Sequence, residues 1–230
     1  MKQTSMFDNS KNSTNKTMSK IENYELYEPT IELMTMDCMD YMEQCNDKQF
    51  DLAIVDPPYG INIHKMSFTQ SIKAGLTKRR DHSWVGNWDN DIPPKEYWKE
   101  LMRVSKNQII WGGNYFSLPP TKSWIFWDKK THEKYSNDYA DGELAWTSFN
   151  KPIRCFRWLW NGMLQQNMKD KQQRIHPTEK PKALYEWLLM NFAQKGDKII
   201  DTHLGSGSIA MACWNMKYDL VGMDVNERCV

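Results

Sequence analysis

Seven short apolar runs, separated by stretches of different character, constrain this chain more than any other feature: IELMTM, DLAIV, QIIWGG, SWIFW, ELAWTS, KIID and DLVGMD. Several are nearly unbroken in apolar residues instead of alternating, which marks strands covered on both faces. Helix-type patterns are expected at 40–45, 94–104, 182–192 and 208–216. In KALYEWLLMNF the residues Leu184, Trp187, Leu188, Met190 and Phe192 form a broad apolar stripe suited to burial against a sheet. The pattern predicts an α/β fold with a mainly parallel, seven-stranded sheet and helices on both faces.

A chain of 230 residues has the length of one domain, with room for an inserted substructure. Residues 1–22 are polar, rich in Ser, Asn, Lys and Thr, and aperiodic, and are expected to form a disordered arm. The domain proper is expected over 23–230. Two segments break the alternation, 61–92 and 150–175, and the second carries KPIRCFRWLWNG.

The net charge of +1 gives no global field toward nucleic acid or membrane, so local patches carry any such function. The five cysteines are scattered without a C-x-x-C pair, which indicates neither a zinc cage nor a disulfide framework. No apolar stretch approaches membrane-span length, and the amino terminus lacks a signal-peptide core. A soluble cytoplasmic protein without a bound metal is expected.

DLAIVDPPYG ends a strand on an acid and two prolines. Pro57 and Pro58 cannot continue a hydrogen-bonded ladder, so Asp56 is left at the strand tip and Tyr59 just beyond it. The carboxyl ends of parallel strands are where open α/β sheets bind ligands. A plain surface turn would use the same residue types.

KIIDTHLGSGSIAMACW reads as strand, glycine turn and helix. Gly205, Gly207 and Ala210 satisfy G-x-G-x-x-A, with Ser206 between the glycines, and Asp224 closes the following strand, where a carboxylate can accept from ribose hydroxyls. The pair points to an adenosine-containing cofactor. The absence of G-K-[ST] speaks against a phosphate-cradling hydrolase. A nicotinamide dinucleotide and S-adenosylmethionine (AdoMet) both suit the turn, and Asp201, just before it, would complement the ammonium and sulfonium of AdoMet.

D-P-P-Y together with such a glycine turn resembles the DNA amino-methyltransferases of the beta group. The order matches as well: DPPY comes first, HPTEKP at 176–181 is next, and the glycine motif comes last. The resemblance extends through IIWGGNYF and ELAWTSF over about 30–228, and these stretches look like those of small phage-type adenine methylases. It implies a Rossmann-like, circularly permuted AdoMet-dependent fold with a catalytic half at about 23–149, a DNA-recognition segment at about 150–175 and an AdoMet-binding half at about 176–230. The family usually has D-P-F before its glycines; here Asp201, Thr202 and His203 stand in those places. A helix is expected after Asp224.

By this resemblance Asp56 and the Pro57 carbonyl accept hydrogen bonds from the exocyclic amine of an extruded base, Pro58 stiffens the turn, and Tyr59 stacks on the base. Asp37, Thr178, Lys180, Asp201, His203, Gly205, Ser206, Gly207 and Asp224 fall at AdoMet-binding positions. Lys180 is placed near the AdoMet carboxylate and Asp37 near its adenine amine. The expected partner is double-stranded DNA, touched by Lys78, Arg79 and Arg80 in the flap after DPPY and by Arg154, Arg157 and Arg174 in the basic segment. Trp158 and Trp160, interleaved with those arginines, suit either base stacking or a core. Asp before P-P-Y favours adenine N6. N4-cytosine is the alternative, followed by an inactive DNA-binding remnant. A homodimer stays open, and neither the recognition sequence nor a cognate restriction nuclease is readable.

Overall fold

The computed structural model describes residues 27–61, 89–130, 140–161, 164–172 and 178–230. The expected arm at 1–22, the flap cations Lys78, Arg79 and Arg80, and Arg174 lie outside the described residues.

The described elements run in the order β1 (Ile31–Thr35), α1 (Cys38–Glu43), β2 (Phe50–Val55), α2 (Lys95–Val104), β3 (Ser105–Trp111), β4 (Trp124–Asp128), β5 (Gly142–Thr147), β6 (Arg154–Arg157), β7 (Trp160–Asn161), β8 (Leu164–Gln165), α3 (Lys182–Phe192), β9 (Lys198–Asp201), α4 (Ser208–Met216) and β10 (Asp219–Asp224). All seven apolar runs are strands. They lie in one sheet of order β1-β10-β9-β2-β3-β5-β4-β6, while β7 and β8 form a separate hairpin. Pairing is parallel from β1 to β3 and antiparallel where β5 meets β3 and β4.

Among the described residues the sheet has eight strands, one more than the runs predicted. The addition is β6, which pairs in parallel with β4 from Ile125↔Arg154 to Asp128↔Arg157. Only Phe156 of its four residues is buried. An edge strand buries little, and charged side chains guard its open side, so it lacks the apolar run that reveals central strands.

Side-chain alternation along the strands explains why the runs are continuous. Leu52, Ile54, Ile109, Trp111, Ile199 and Leu220 face one core, with Leu184, Leu188, Ile209 and Ala212 of α3 and α4. Ala53, Val55, Ile110, Ile200, Val221 and Met223 face the other, with Met42 of α1 and Tyr97, Leu101 and Val104 of α2. The central strands β2, β3, β9 and β10 are apolar at both parities because each face there has a helical cover, whereas β4 alternates, with Ile125 and Trp127 buried and Phe126 exposed.

Helix α1 starts two residues before the predicted position. Asp37 is its N-cap, and Asp37 Oδ1 accepts from the Met39 backbone N–H at 2.8 Å. Helices α2, α3 and α4 lie where the pattern placed them, with α2 beginning at Lys95 after Pro94.

The topology places the site. From β2 the chain steps through α2 to β3 in one direction; from β9 it steps through α4 to β10 in the other. Right-handed crossovers running opposite ways put α2 and α4 on opposite faces, so the β2–β9 boundary is the switch point of the sheet. These two strands are parallel neighbours, with Leu52↔Ile199 and Ala53↔Ile200 in register. Their carboxyl ends therefore emerge side by side.

Candidate functional site

Asp56 comes directly after the last residue of β2, and its two oxygens have different donors. The Tyr59 hydroxyl donates to Oδ1 at 2.6 Å, and the Lys180 ammonium donates to Oδ2. The turn beyond is pinned from elsewhere: the Asp89 carboxylate accepts the backbone N–H of Tyr59 at 2.8 Å and of Gly60 at 3.0 Å. Pro57 is buried, and Pro58 is half-buried. The prolines restrict the backbone, and Asp89 holds Tyr59 and Gly60 beyond them, so the Asp56 carboxylate and the neighbouring carbonyl are presented by a stiff turn.

The Tyr59 ring lies against Gly112, the residue after β3. A Cβ at Gly112 would come within 2.2 Å of that ring, and Gly112 has φ +68°, so both contact and backbone require glycine. Tyr115 stacks on Tyr59 with ring centroids 5.0 Å apart and planes 14° apart, and Phe116 meets the ring edge-on at 6.1 Å. Burial and the neighbouring Asp56 push the Tyr59 hydroxyl well above the usual tyrosine range. It remains a donor to Asp56.

Lys180 is 4% exposed and lies between two acids, Asp56 and Glu143. Burial alone would lower its pKa; Asp56 and Glu143 reverse this and raise it. Glu143 of β5 also pairs with Lys129. Burial would raise the Glu143 carboxyl, but Lys180 and Lys129 outweigh burial and hold it at about 2. The ammonium of Lys180 thus hydrogen-bonds Asp56 and stands in ion-pair range of Glu143, on the DPPY side of the site.

On the neighbouring strand Asp201 ends β9. It is 1% exposed and accepts from the His203 backbone N–H at 3.0 Å. Burial raises its carboxyl to about 8, helped by Asp56 and Asp224 and opposed by that hydrogen bond. Burial also lowers His203 to about 4, so the imidazole is neutral near pH 7. His203 packs edge-on against Tyr97 of α2, whose hydroxyl shares a 2.6 Å hydrogen bond with Thr202. Helix α2 therefore reaches the T-H that replaces the usual P-F.

The glycine turn leads into α4. Gly205 and Gly207 have φ of +55° and +68°; a Cβ at Gly207 would meet nothing within 4 Å, and one at Gly205 would meet only the His203 carbonyl at 3.9 Å. The glycines are required by conformation, and they leave open space that side chains would fill. The Gly205 backbone N–H donates to Asp224 Oδ2 at 3.0 Å, while Asp224 Oδ1 accepts from Asn226 at 2.9 Å. Ser206 and Ser208 share a hydroxyl–hydroxyl bond of 2.9 Å. A 3-10 turn, Glu227–Cys229, stands after Asp224 where a helix was expected.

Along one sheet edge, then, stand Asp37 after β1, Asp224 on β10, Asp201 and the glycine turn on β9, and Asp56 on β2. Thr178 is half-buried just before Lys180. Arg154 and Arg157 are apart from this edge line, exposed on edge strand β6, with Arg157 Nε 3.6 Å from Asp128. Trp160 is 5% exposed with its indole N–H donating to the Glu179 carbonyl at 2.7 Å, and Trp158 packs against the same core; the core reading of these tryptophans holds. Asp89, Tyr97, Tyr115, Lys129 and Glu143 were not anticipated. An acid inside the apolar run of β5 was the one available signal, for Glu143.

The model of the N6/N4 "DNA methylase" family matches residues 103–230. The chain belongs to this DNA methylase family. It is 22% identical over 222 residues to the type II methyltransferase M.HpaI of Haemophilus parainfluenzae, covering 82% of this chain and 68% of that protein. It is 23% identical over 225 residues to the type II methyltransferase M2.MboI of Moraxella bovis, covering 81% and 80%. PvuII DNA methyltransferase, described as cytosine-N4-specific, superposes with a TM-score of 0.50 at 10% identity, over 87% of this chain and 85% of that one, a likeness of fold alone.

The DNA methylase is an AdoMet-dependent enzyme acting on exocyclic amines of DNA bases. Its own residues fit that cofactor: the turn at Gly205 and Gly207 leaves open space, Asp224 accepts from the Gly205 N–H, and the buried Asp201 stands just before the turn. Among the described residues no cluster of His, Cys, Asp or Glu is arranged to hold a metal ion, and no helix is long and apolar enough to cross a membrane.

Proposed function

We propose that this DNA methylase transfers a methyl group to the N6 amine of adenine in double-stranded DNA, on a base turned out of the helix. The observation that carries the reading is the side-by-side emergence of Asp56 and the open glycine turn from parallel neighbours β2 and β9. AdoMet, when bound, supplies the methyl group on an electrophilic sulfonium. Gly205, Ser206 and Gly207 would cradle it, with Asp201, His203, Asp224, Asp37 and Thr178 around them.

The amine of adenine is a weak nucleophile because its lone pair is delocalised into the ring. Asp56 and the Pro57 carbonyl accept hydrogen bonds from the amine, which favours a pyramidal nitrogen and offsets the positive charge that grows on it. Both acceptors are held before substrate arrives, by the prolines and by Asp89, so little reorganisation accompanies the reaction. Tyr59, with Tyr115 stacked on its ring and Gly112 against it, would meet the base once Tyr115 gives way, and Asp56 fixes the orientation of that ring through the phenol. Lys180 is assigned to Asp56 and not to the cofactor carboxylate. Arg154 and Arg157 on β6 contact phosphates, and Lys78, Arg79, Arg80 and Arg174 complete the basic set.

The aspartate before P-P-Y supports adenine over cytosine. Incubation with AdoMet and unmethylated genomic DNA, followed by nucleoside mass spectrometry, tests the reading. N6-methyl-2′-deoxyadenosine is the expected product. N4-methyl-2′-deoxycytidine would move the activity to the alternative base, and no modified nucleoside would identify an inactive remnant.

A further inference from the structure

The acceptor at the centre of the site is already occupied. Tyr59 takes Oδ1 of Asp56 and Lys180 takes Oδ2. An ammonium resting on this carboxylate opposes the charge that must develop on the substrate nitrogen. A second acid stands ready to receive it. Glu143 Oε1 is held by Lys129, but Glu143 Oε2 is fully enclosed and, among the described residues, meets only the Lys180 nitrogen, 3.1 Å away and off good hydrogen-bond geometry. A buried carboxylate oxygen with an ammonium in ion-pair range, yet without hydrogen-bond geometry, is an acceptor held in reserve.

We propose that Glu143 is a positioning residue for methyl transfer: when the target amine reaches Asp56, the Lys180 ammonium turns from Asp56 Oδ2 to Glu143 Oε2. The inference rests on Asp56 being the amine acceptor. A buried ammonium does not leave one carboxylate without another to meet it, because an unpaired charge in this setting is expensive. Glu143 supplies that second partner within the same contact distance, and the Lys129 pair keeps Glu143 from following the ammonium toward Asp56. The exchange keeps two acids and two bases in one enclosed group, so the buried charge is conserved while the Asp56 lone pair is released.

The test is a double-mutant cycle on the full chain with AdoMet and unmethylated DNA, in which kcat and AdoMet affinity are measured for wild type, Glu143→Gln, Lys180→Met and the double variant. Glu143→Gln is expected to lower kcat on the order of tenfold or more with AdoMet affinity unchanged. In the Lys180→Met background the same substitution is expected to change kcat by less than about twofold, since no ammonium remains to be moved. Should Glu143→Gln not fold, Glu143→Asp in the same two backgrounds gives the reading, and its loss must likewise vanish with Lys180→Met. Equal losses in both backgrounds, an unchanged kcat for Glu143→Gln, or no turnover at all by Lys180→Met would each overturn the inference. Full turnover by Asp56→Ala would instead remove the underlying assignment of Asp56, so the two failures are separable.

Discussion

Asp89 accepts the backbone N–H of Tyr59 at 2.8 Å, tying the end of DPPY to a residue thirty positions further along the chain. The same carboxylate takes the N–H of Gly60 at 3.0 Å and is 2% exposed. The DPPY turn is therefore held by a buried acid outside the motif. Asp89→Ala leaves two backbone donors without that acceptor. A stability loss of about 1–3 kcal/mol is expected by thermal or urea unfolding. At temperatures where the variant is folded, kcat should fall while AdoMet affinity stays near wild type.

Gly207 tests the cofactor cradle. At φ +68° an alanine costs about 1–2 kcal/mol of backbone strain, and its methyl group meets no atom of the described residues within 4 Å. The added carbon stands in the space assigned to AdoMet. Gly207→Ala is expected to melt only slightly below wild type, yet to lose most of its AdoMet-induced thermal shift. An unaltered shift would place the cofactor elsewhere.

Asp201 and His203 make the cofactor-free protein pH-sensitive in opposite senses. The Asp201 carboxyl is raised to about 8, so the folded state holds its proton where the unfolded chain has lost it. Its contribution to stability is complete below the unfolded value near 4 and is lost as pH rises toward about 8. His203 is lowered to about 4 and contributes stability above the unfolded value near 6.5, lost as pH falls toward about 4. Between about 6.5 and 8, of these two groups only Asp201 still changes its contribution. Unfolding measurements there should show stability declining with pH, by on the order of a few kcal/mol, and Asp201→Asn should flatten the decline. Because a cationic ligand favours the ionised carboxylate, AdoMet binding near neutral pH should release a proton. Calorimetry in buffers of different ionisation enthalpy reads that release directly.

Arg154 and Arg157 give a prediction about DNA. Both are exposed on β6, at the sheet edge. Replacing both with alanine should weaken DNA binding uniformly across sequences and reduce the dependence of log K on log salt by about 1–2. AdoMet affinity should not change. A salt dependence equal to wild type would separate this edge from the phosphate path.

The central fold was legible because a doubly covered parallel sheet writes itself as apolar runs, and the glycine turn and DPPY fall where two such runs end. Strand β6 was not legible, since Arg154, Cys155 and Arg157 bury nothing and only pairing to β4 makes them a strand. The start of α1 was missed because Asp37 was not read as the helix cap it is. Lys180 illustrates the deeper limit. Its motif was visible, but its partners Asp56 and Glu143 lie on β2 and β5, and no local pattern encodes which buried acid an ammonium will meet. Asp89 was hidden for the same reason, in a segment without periodicity.

The most direct test of the account is Asp56→Ala, assayed for nucleoside methylation and for AdoMet-induced thermal shift on the same preparation. Loss of detectable methylation with the thermal shift retained is the predicted result, because the carboxylate serves the amine and the glycine turn serves the cofactor. Retained methylation, or loss of the shift together with activity, would contradict it.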